Sequence, residues 1–267
     1  RRYSPVRLSR VSRRLNDRAL GDEVPQFPTD NLAFRWTADP NYMFDEPGGT
    51  MVAEDGPIGA WYDQVSWTGA KEYADQQNVS NKPILKTVND QYWAFADGTS
   101  SGMLAPAALD YGNYDSGMTV YLRTICTGLA GDNYRVLMGH GAGSGTVTYF
   151  AKNFGDMLLF SGLPGLTGYG SATRATAQFT GSADTTLVQT YTPGGTVTIH
   201  QDGVLVNTSG AVGSTMGGNR LAFFCVGIDN TGVGGALWWK GYLRHYLVYA
   251  AVHDASRRAQ VLAALAT

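Results

Sequence analysis

The sequence predicts an all-β, layered domain with a short basic helix or arm before it and a short helix after it. Three observations carry the prediction. Ser, Thr, Tyr and Gly fill the interval from 97 to 237. Glycine is abundant at 34 residues while charged residues reach only 16%, which suits many short strands joined by tight turns. Residues 238–249 alternate Trp239, Gly241, Leu243, His245, Leu247 and Tyr249 against Trp238, Lys240, Tyr242, Arg244, Tyr246 and Val248. Aromatic and branched residues at period two favour a strand. Because both sets hold large apolar groups, neither face can simply meet solvent, and the strand is expected between two layers.

A chain of 267 residues fits a single core, which would remove about 75% of the unfolded surface from water. The expected division is an arm and linker over 1–30 and one β body over 31–267. In the arm, Ser4-Pro5 reads as an N-cap with Pro at the first helical position, and Gly21 follows the last helical residue. Between them Leu8, Val11, Leu15 and Ala19 recur at three-to-four spacing, with Arg7, Arg10, Arg13, Arg14 and Arg18 on the other faces. So short a helix has no core of its own. Arg7, Leu8, Arg10, Val11, Arg13, Arg14, Leu15 and Arg18 are therefore expected to anchor the chain on other protein subunits of a larger assembly. Docking on the β body, a solvated tail, and attachment to an acidic polymer or membrane surface are the alternatives. Val24 to Asn31, with Pro25 and Pro28, reads as an extended linker.

Residues 1–26 hold seven Arg against three acids, so the net charge of −2 divides into +4 over residues 1–26 and −6 over the remaining 241. The body is mildly acidic, which argues against a nucleic-acid surface there. No run approaches ~20 apolar residues, so no membrane span is expected. The N-terminus lacks an apolar signal core, and a signal peptide is not expected. Cys126 and Cys225 lie in apolar strand-like runs, where two buried thiols or a single bridge would fit.

Along the body, Leu32–Trp36 is the first expected strand. Met118–Cys126, Tyr134–Met138, Thr146–Phe150, Met157–Phe160, Thr185–Tyr191 and Thr196–Gln201 follow. Asp202-Gly203 makes a type I′ hairpin turn into Val204–Asn207. Leu221–Gly227 leads to the final strand, and Asp254 caps a helix over Ala255–Ala266 with Val261, Leu262 and Leu265 at helical spacing. That helix is expected to cover one end or edge of a sheet.

The order Trp61, Tyr62, Asp63, Gln64, then Gln76, then Lys82 and Pro83, then Phe95, Asp97 and Gly98 resembles the laminin G-like branch of the concanavalin-like jelly-roll superfamily. The end of the chain is similar to that branch too, with Trp239, Gly241, Leu243, Tyr249 and the helix from Asp254 in the places of its closing aromatic, Gly, aliphatic, Tyr and helix. The chain departs from the pattern at His245, where the branch often has an acid, and at His253, where it often has Leu. The resemblance spans roughly 60 to 265. It implies a concanavalin-like jelly-roll β-sandwich of two antiparallel sheets.

Some relatives on that scaffold hydrolyse glycans with Glu, spacer, Asp, spacer, Glu on one strand. Here the Glu residues are Glu23, Glu46, Glu54 and Glu72, and no two Asp alternate on one expected strand. No G-x-S-x-G elbow is present, His140–Gly145 (HGAGSG) reads as a hairpin turn, and the histidines at 140, 200, 245 and 253 show no ligand spacing. The chain is accordingly expected not to be an enzyme. No cofactor is expected; calcium is the one candidate, at Asp110, Asn113 and Asp115 or at Asp229 and Asn230, where Asx turns account for the residues equally well.

A sugar site needs aromatic faces to stack on rings and amides or carboxylates to bond hydroxyls. Loop candidates are Trp67, Tyr73, Tyr111, Asn113, Tyr114 and Tyr169, while Trp61, Trp93 and Trp238 are expected in the core. The function expected is a non-catalytic, lectin-like recognition domain that its arm carries on a virion, fibre or cell-surface assembly. A purely structural decoration protein and a glycoside hydrolase are the alternatives.

Overall fold

The computed structural model describes residues 26–65, 73–105, 117–127, 135–140, 150–152, 158–161, 175–178, 183–208, 221–228, 234–236 and 238–267. Among them the fold is an all-β sandwich of two antiparallel sheets with one short C-terminal helix, as expected. With strands labelled in chain order, the first sheet runs β15 (Val204–Thr208), β14 (Val197–Gln201), β13 (Asp184–Tyr191), β8 (Met118–Cys126), β19 (Lys240–Tyr249), β6 (Gln91–Asp97) and β5 (Ile84–Val88). In the same sheet β1 (Leu32–Thr37) also pairs with β19. The second sheet runs β12 (Ala175–Gln178), β11 (Leu158–Ser161), β10 (Phe150–Lys152), β9 (Arg135–His140), β16 (Leu221–Phe223), β7 (Met103–Leu104), β4 (Tyr73–Asp75), β3 (Ala60–Tyr62) and β2 (Met43–Phe44). A separate ribbon pairs β17 (Val226–Ile228) with β18 (Gly234–Ala236).

The first sheet is organised around β19. One of its edges pairs with β8 from Gly241 to Tyr249; the other is shared, β6 taking Lys240 to Leu243 and β1 taking His245 to Tyr249. The alternation in the sequence does not survive intact. The β8 register slips between Leu243 and His245, so Arg244 is an extra residue and the strand changes face there. Leu243 therefore packs with Tyr246 and Val248 in the inter-sheet core, while Leu247 and Tyr249 point outward. Both faces are buried from His245 to Tyr249, as the sequence implied, but before the bulge the outward Lys240 is exposed and Tyr242 partly so, and the two residue sets are exchanged at the bulge.

In the inter-sheet core, Phe223 of the second sheet lies 5.3 Å from the Trp36 ring and 5.8 Å from Tyr246, joining both to Trp61 at 5.6 Å. The two indoles are mutually fixed: Trp36 Nε1 donates to the Trp61 carbonyl (3.3 Å) and Trp61 Nε1 to the Thr37 carbonyl (3.1 Å). Full burial of each such side chain contributes about 1.5–3 kcal/mol. The expected strand Leu221–Gly227 is broken after Phe223, because Phe224 takes a left-handed backbone (φ 65°) and donates its N–H to the Leu137 carbonyl at 2.6 Å. The conformation costs roughly 1–2 kcal/mol, which complete burial of the Phe224 ring offsets. Cys126 and Cys225 are buried, and no disulfide joins them. Asp202 and Gly203 have φ of 50° and 83°, the two positive values a type I′ turn requires. Of the expected strand Thr146–Phe150, only Phe150 lies among the described residues.

The helix α1 (Ala255–Leu265) is capped by the Asp254 carboxylate, which accepts from Arg257 N at 2.7 Å. It lies over the outer face of the first sheet rather than over an end or edge. Val261 and Leu265 meet Tyr121, Val188, Leu247 and Tyr249 there. The expected linker lies against the same face: Phe27 joins this cluster, Tyr249 Oη donates to the Pro28 carbonyl (3.0 Å), and Asp30 pairs with Arg257 (2.8 Å). Among the described residues no helix is long and apolar enough to cross a membrane.

Candidate functional site

The β2, β3 and β4 edge of the second sheet places aromatic side chains on both of its faces, with different outcomes. Met43, Trp61 and Ala74 point into the core and are fully buried. On the opposite face Phe44, Tyr62 and Tyr73 are partly exposed and form a row. Tyr62 and Tyr73 are direct cross-strand partners, with ring centroids 5.0 Å apart at 50°. The Phe44 and Tyr62 rings stand 5.2 Å apart, edge to face at 79°. Met51, bridged to Phe44 across the next turn, extends the row and is 57% exposed.

The hairpin beside the row is built by short-range bonds. Thr50 N donates to Asp45 Oδ1 (2.7 Å), Asp45 N to the Thr50 carbonyl (3.0 Å), and Gly48, at φ 74°, donates its N–H to Tyr62 Oη (3.2 Å). Gly59 lets this hairpin close onto β3, since a Cβ there would fall 1.9 Å from the Asp45 carbonyl oxygen. Lys82 Nζ also donates to that carbonyl, at 2.5 Å.

The other flank is Asp75, two residues beyond Tyr73 on the same face and in register with Ala60 and, through it, Phe44. Gln77 Nε2 donates to Asp75 Oδ2 (3.4 Å). The register row continues from Asp75 to Leu104 and Ala222, which pack with Cys225 beneath the partly exposed Trp238. Burial, the nearby Asp75 charge and Tyr62 together raise the Tyr73 hydroxyl pKa above its ordinary value, so it stays a neutral donor and acceptor. The face thus offers aromatic surface flanked by carboxylates and an amide, the chemistry that grips polyhydroxylated rings.

Tyr73 is the one loop candidate from the sequence that the described residues include, and it lies on a strand within the row. Trp67, Tyr111, Asn113, Tyr114 and Tyr169 lie outside the described residues, as do the calcium candidates Asp110, Asn113 and Asp115 and all the anchor residues from Arg7 to Arg18. Trp61 and Trp93 are buried as expected, but Trp238 is partly exposed over a small satellite cluster. Phe44, Tyr62 and Met51 escaped the sequence reading because strands of two or three residues carry no periodicity to reveal their faces. Among the described residues no group of three or more His, Cys, Asp or Glu is placed to hold a metal ion.

The two histidines that depart from the jelly-roll pattern belong to the covered outer face of the first sheet. Arg244 Nε donates to His245 Nε2 at 3.1 Å, so Nδ1 carries the proton and donates to Thr37 Oγ1 at 3.1 Å. Burial, then Arg244, Arg123 and Arg35, push the His245 pKa well below its ordinary value. His253 Nδ1 lies 2.7 Å from Tyr121 Oη, and burial followed by Arg257 lowers its pKa to about 4. Both are neutral packing groups.

No protein-family model matches the sequence and no curated protein is similar to it. Solved structures do match. Domain 4 of an extracellular GH43 arabinanase from Geobacillus stearothermophilus, in complex with arabinotriose, is similar with a TM-score of 0.57 and 14% identity over 88% of this chain and 98% of that one. Trypanosoma rangeli sialidase in complex with sialic acid matches with a TM-score of 0.54 and 11% identity over 90% of this chain and 34% of that one. A receptor binding domain matches with a TM-score of 0.57 and 10% identity over 88% and 51%. What these likenesses establish is the fold, an all-β sandwich. The chain spans about a third of the sialidase chains it matches. They also correct one expectation. Sialidases and an arabinanase are enzymes, so the missing Glu, spacer, Asp, spacer, Glu pattern no longer serves as an argument that the chain is not an enzyme.

Proposed function

We propose that the chain is a carbohydrate-recognition domain of the laminin G-like jelly-roll type, and that its sugar-binding face is the row Phe44, Tyr62 and Tyr73 flanked by Asp75. The observation that carries this reading is the partly exposed aromatic row, set back to back with the fully buried residues of the same strands. Two structural neighbours were solved with sugars, arabinotriose and sialic acid, and another is named a receptor binding domain, which supports the reading. Trp67, Tyr111, Asn113, Tyr114 and Tyr169 would add contacts from the connecting segments, and a calcium ion at Asp110, Asn113 and Asp115 would order one of them. Residues 1–30 would carry the 31–267 body on a larger assembly such as a viral particle or surface fibre.

A glycan array that includes arabinotriose, followed by calorimetry on its hits, tests the proposal. Tyr62→Ala and Tyr73→Ala should each weaken binding about tenfold. Tyr92→Ala, on the other sheet and 41% exposed, should leave binding unchanged. A blank array, or hits that all three variants bind equally, would overturn the assignment.

A further inference from the structure

Resting on that carbohydrate reading, we infer that this face takes an uncharged glycan chain several sugar units long, laid across the strands, and rejects anionic sugars. The first reason is shape. Phe44, Tyr62 and Tyr73 belong to successive strands and Met51 is bridged to Phe44 on the outer side, so at the usual spacing the row extends about 14 Å perpendicular to the strands. One aromatic ring presents one stacking surface, and a monosaccharide would use only part of such a row. At one end Met51 is exposed, and at the other the register row runs on to Leu104 and Ala222 under Trp238. A repeated platform, open at its Met51 end, suits consecutive units of a chain better than a single enclosed residue.

The second reason is the pairing of donors and acceptors. The carboxylates flanking the row are Asp45 and Glu46 on the hairpin and Asp75 on β4. Ionised carboxylates only accept hydrogen bonds, so they match the hydroxyl donors of a neutral sugar and repel a carboxylate or sulfate. Lys82, the ammonium that the described residues place beside the hairpin, donates to the Asp45 main-chain carbonyl. The Gln77 amide donates to Asp75. Each of these donors thus already has an acceptor on a residue flanking the row.

Calorimetry with the full chain tests this against neutral arabino-, xylo-, gluco- and manno-oligosaccharides, from the monosaccharide to the pentasaccharide, alongside oligogalacturonates and sialyllactose. Affinity in the neutral series that binds should rise about tenfold from monosaccharide to trisaccharide. The acidic sugars should bind at least about tenfold more weakly at low salt. Glu46→Gln combined with Asp75→Asn should narrow that gap, with melting temperature confirming that the variant folds. Equal affinity for monosaccharide and trisaccharide, or acidic sugars bound as tightly as neutral ones and lost in Tyr62→Ala, would overturn this inference while leaving carbohydrate recognition standing. Failure of every sugar, neutral and acidic, to bind would overturn both.

Discussion

The two outer faces of the sandwich carry the same kinds of residue, covered on one sheet and left partly exposed on the other. On the first sheet, Tyr121 and Tyr249 stand edge to face at 5.6 Å, and α1 and residues 27–32 close over them. Burial raises both phenol pKa values, that of Tyr249 to about 12, and lowers that of His253 to about 4. On the second sheet, Phe44, Tyr62 and Tyr73 pair at similar distances but stay partly exposed. A tyrosine on a strand is thus neither core nor ligand-binding by nature; the element that covers it decides. Changes under the helix should cost stability and spare recognition, and changes in the row should do the reverse.

The largest expected effect is on the covered face. Tyr249→Ala removes the ring against Tyr121, the bond to Pro28 and the support of Phe27, and should destabilise by about 3–5 kcal/mol in urea unfolding. Binding measured on the remaining folded protein should be unchanged. Acid should act on the same face. His253, His245 and His200 all have folded pKa values below the ordinary 6.5, so the unfolded chain takes up protons first as pH falls. Their contribution is present above pH 6.5 and declines as the pH falls from 6.5 toward about 4, the His253 value. In His253→Leu, the slope of stability against pH in that window should flatten.

Smaller effects sharpen the other side. Gly59→Ala drives a methyl into the Asp45 carbonyl and should move the hairpin and Phe44, costing about 1–3 kcal/mol and weakening sugar binding together. Asp254→Ala removes the cap of α1 and should cost about 1 kcal/mol in the same unfolding assay, without touching recognition.

Much of the fold was legible because its signals are local. The residues that resemble the jelly-roll pattern turn out to organise turns. Asp63 Oδ1 accepts from Arg35 N (2.8 Å) and Val65 N (3.0 Å), and Gln76 bridges Asn78 N and the Gly102 carbonyl. Burial alone would raise the Asp97 pKa, but bonds from Thr99, Ser100 and Ser101 outweigh it and hold it at about 2. Asp254 and the Val261, Leu265 spacing likewise announced α1. The bulge at Arg244 and the left-handed Phe224 were not legible, since pairing partners distant in sequence impose both. Of the aromatic row only Tyr73 was a candidate, and Phe44 and Tyr62 escaped for the same reason: the three meet only through strand register, and each strand is too short to show which face it turns outward.

The separation of roles comes down to the Tyr62 ring. Titration calorimetry of wild type and Tyr62→Ala with the tightest-binding neutral trisaccharide, with thermal melts alongside, tests it most directly. Affinity should fall about tenfold, roughly 1.4 kcal/mol, with the melting temperature held within a few degrees. Unchanged affinity in a variant that melts like wild type would contradict it.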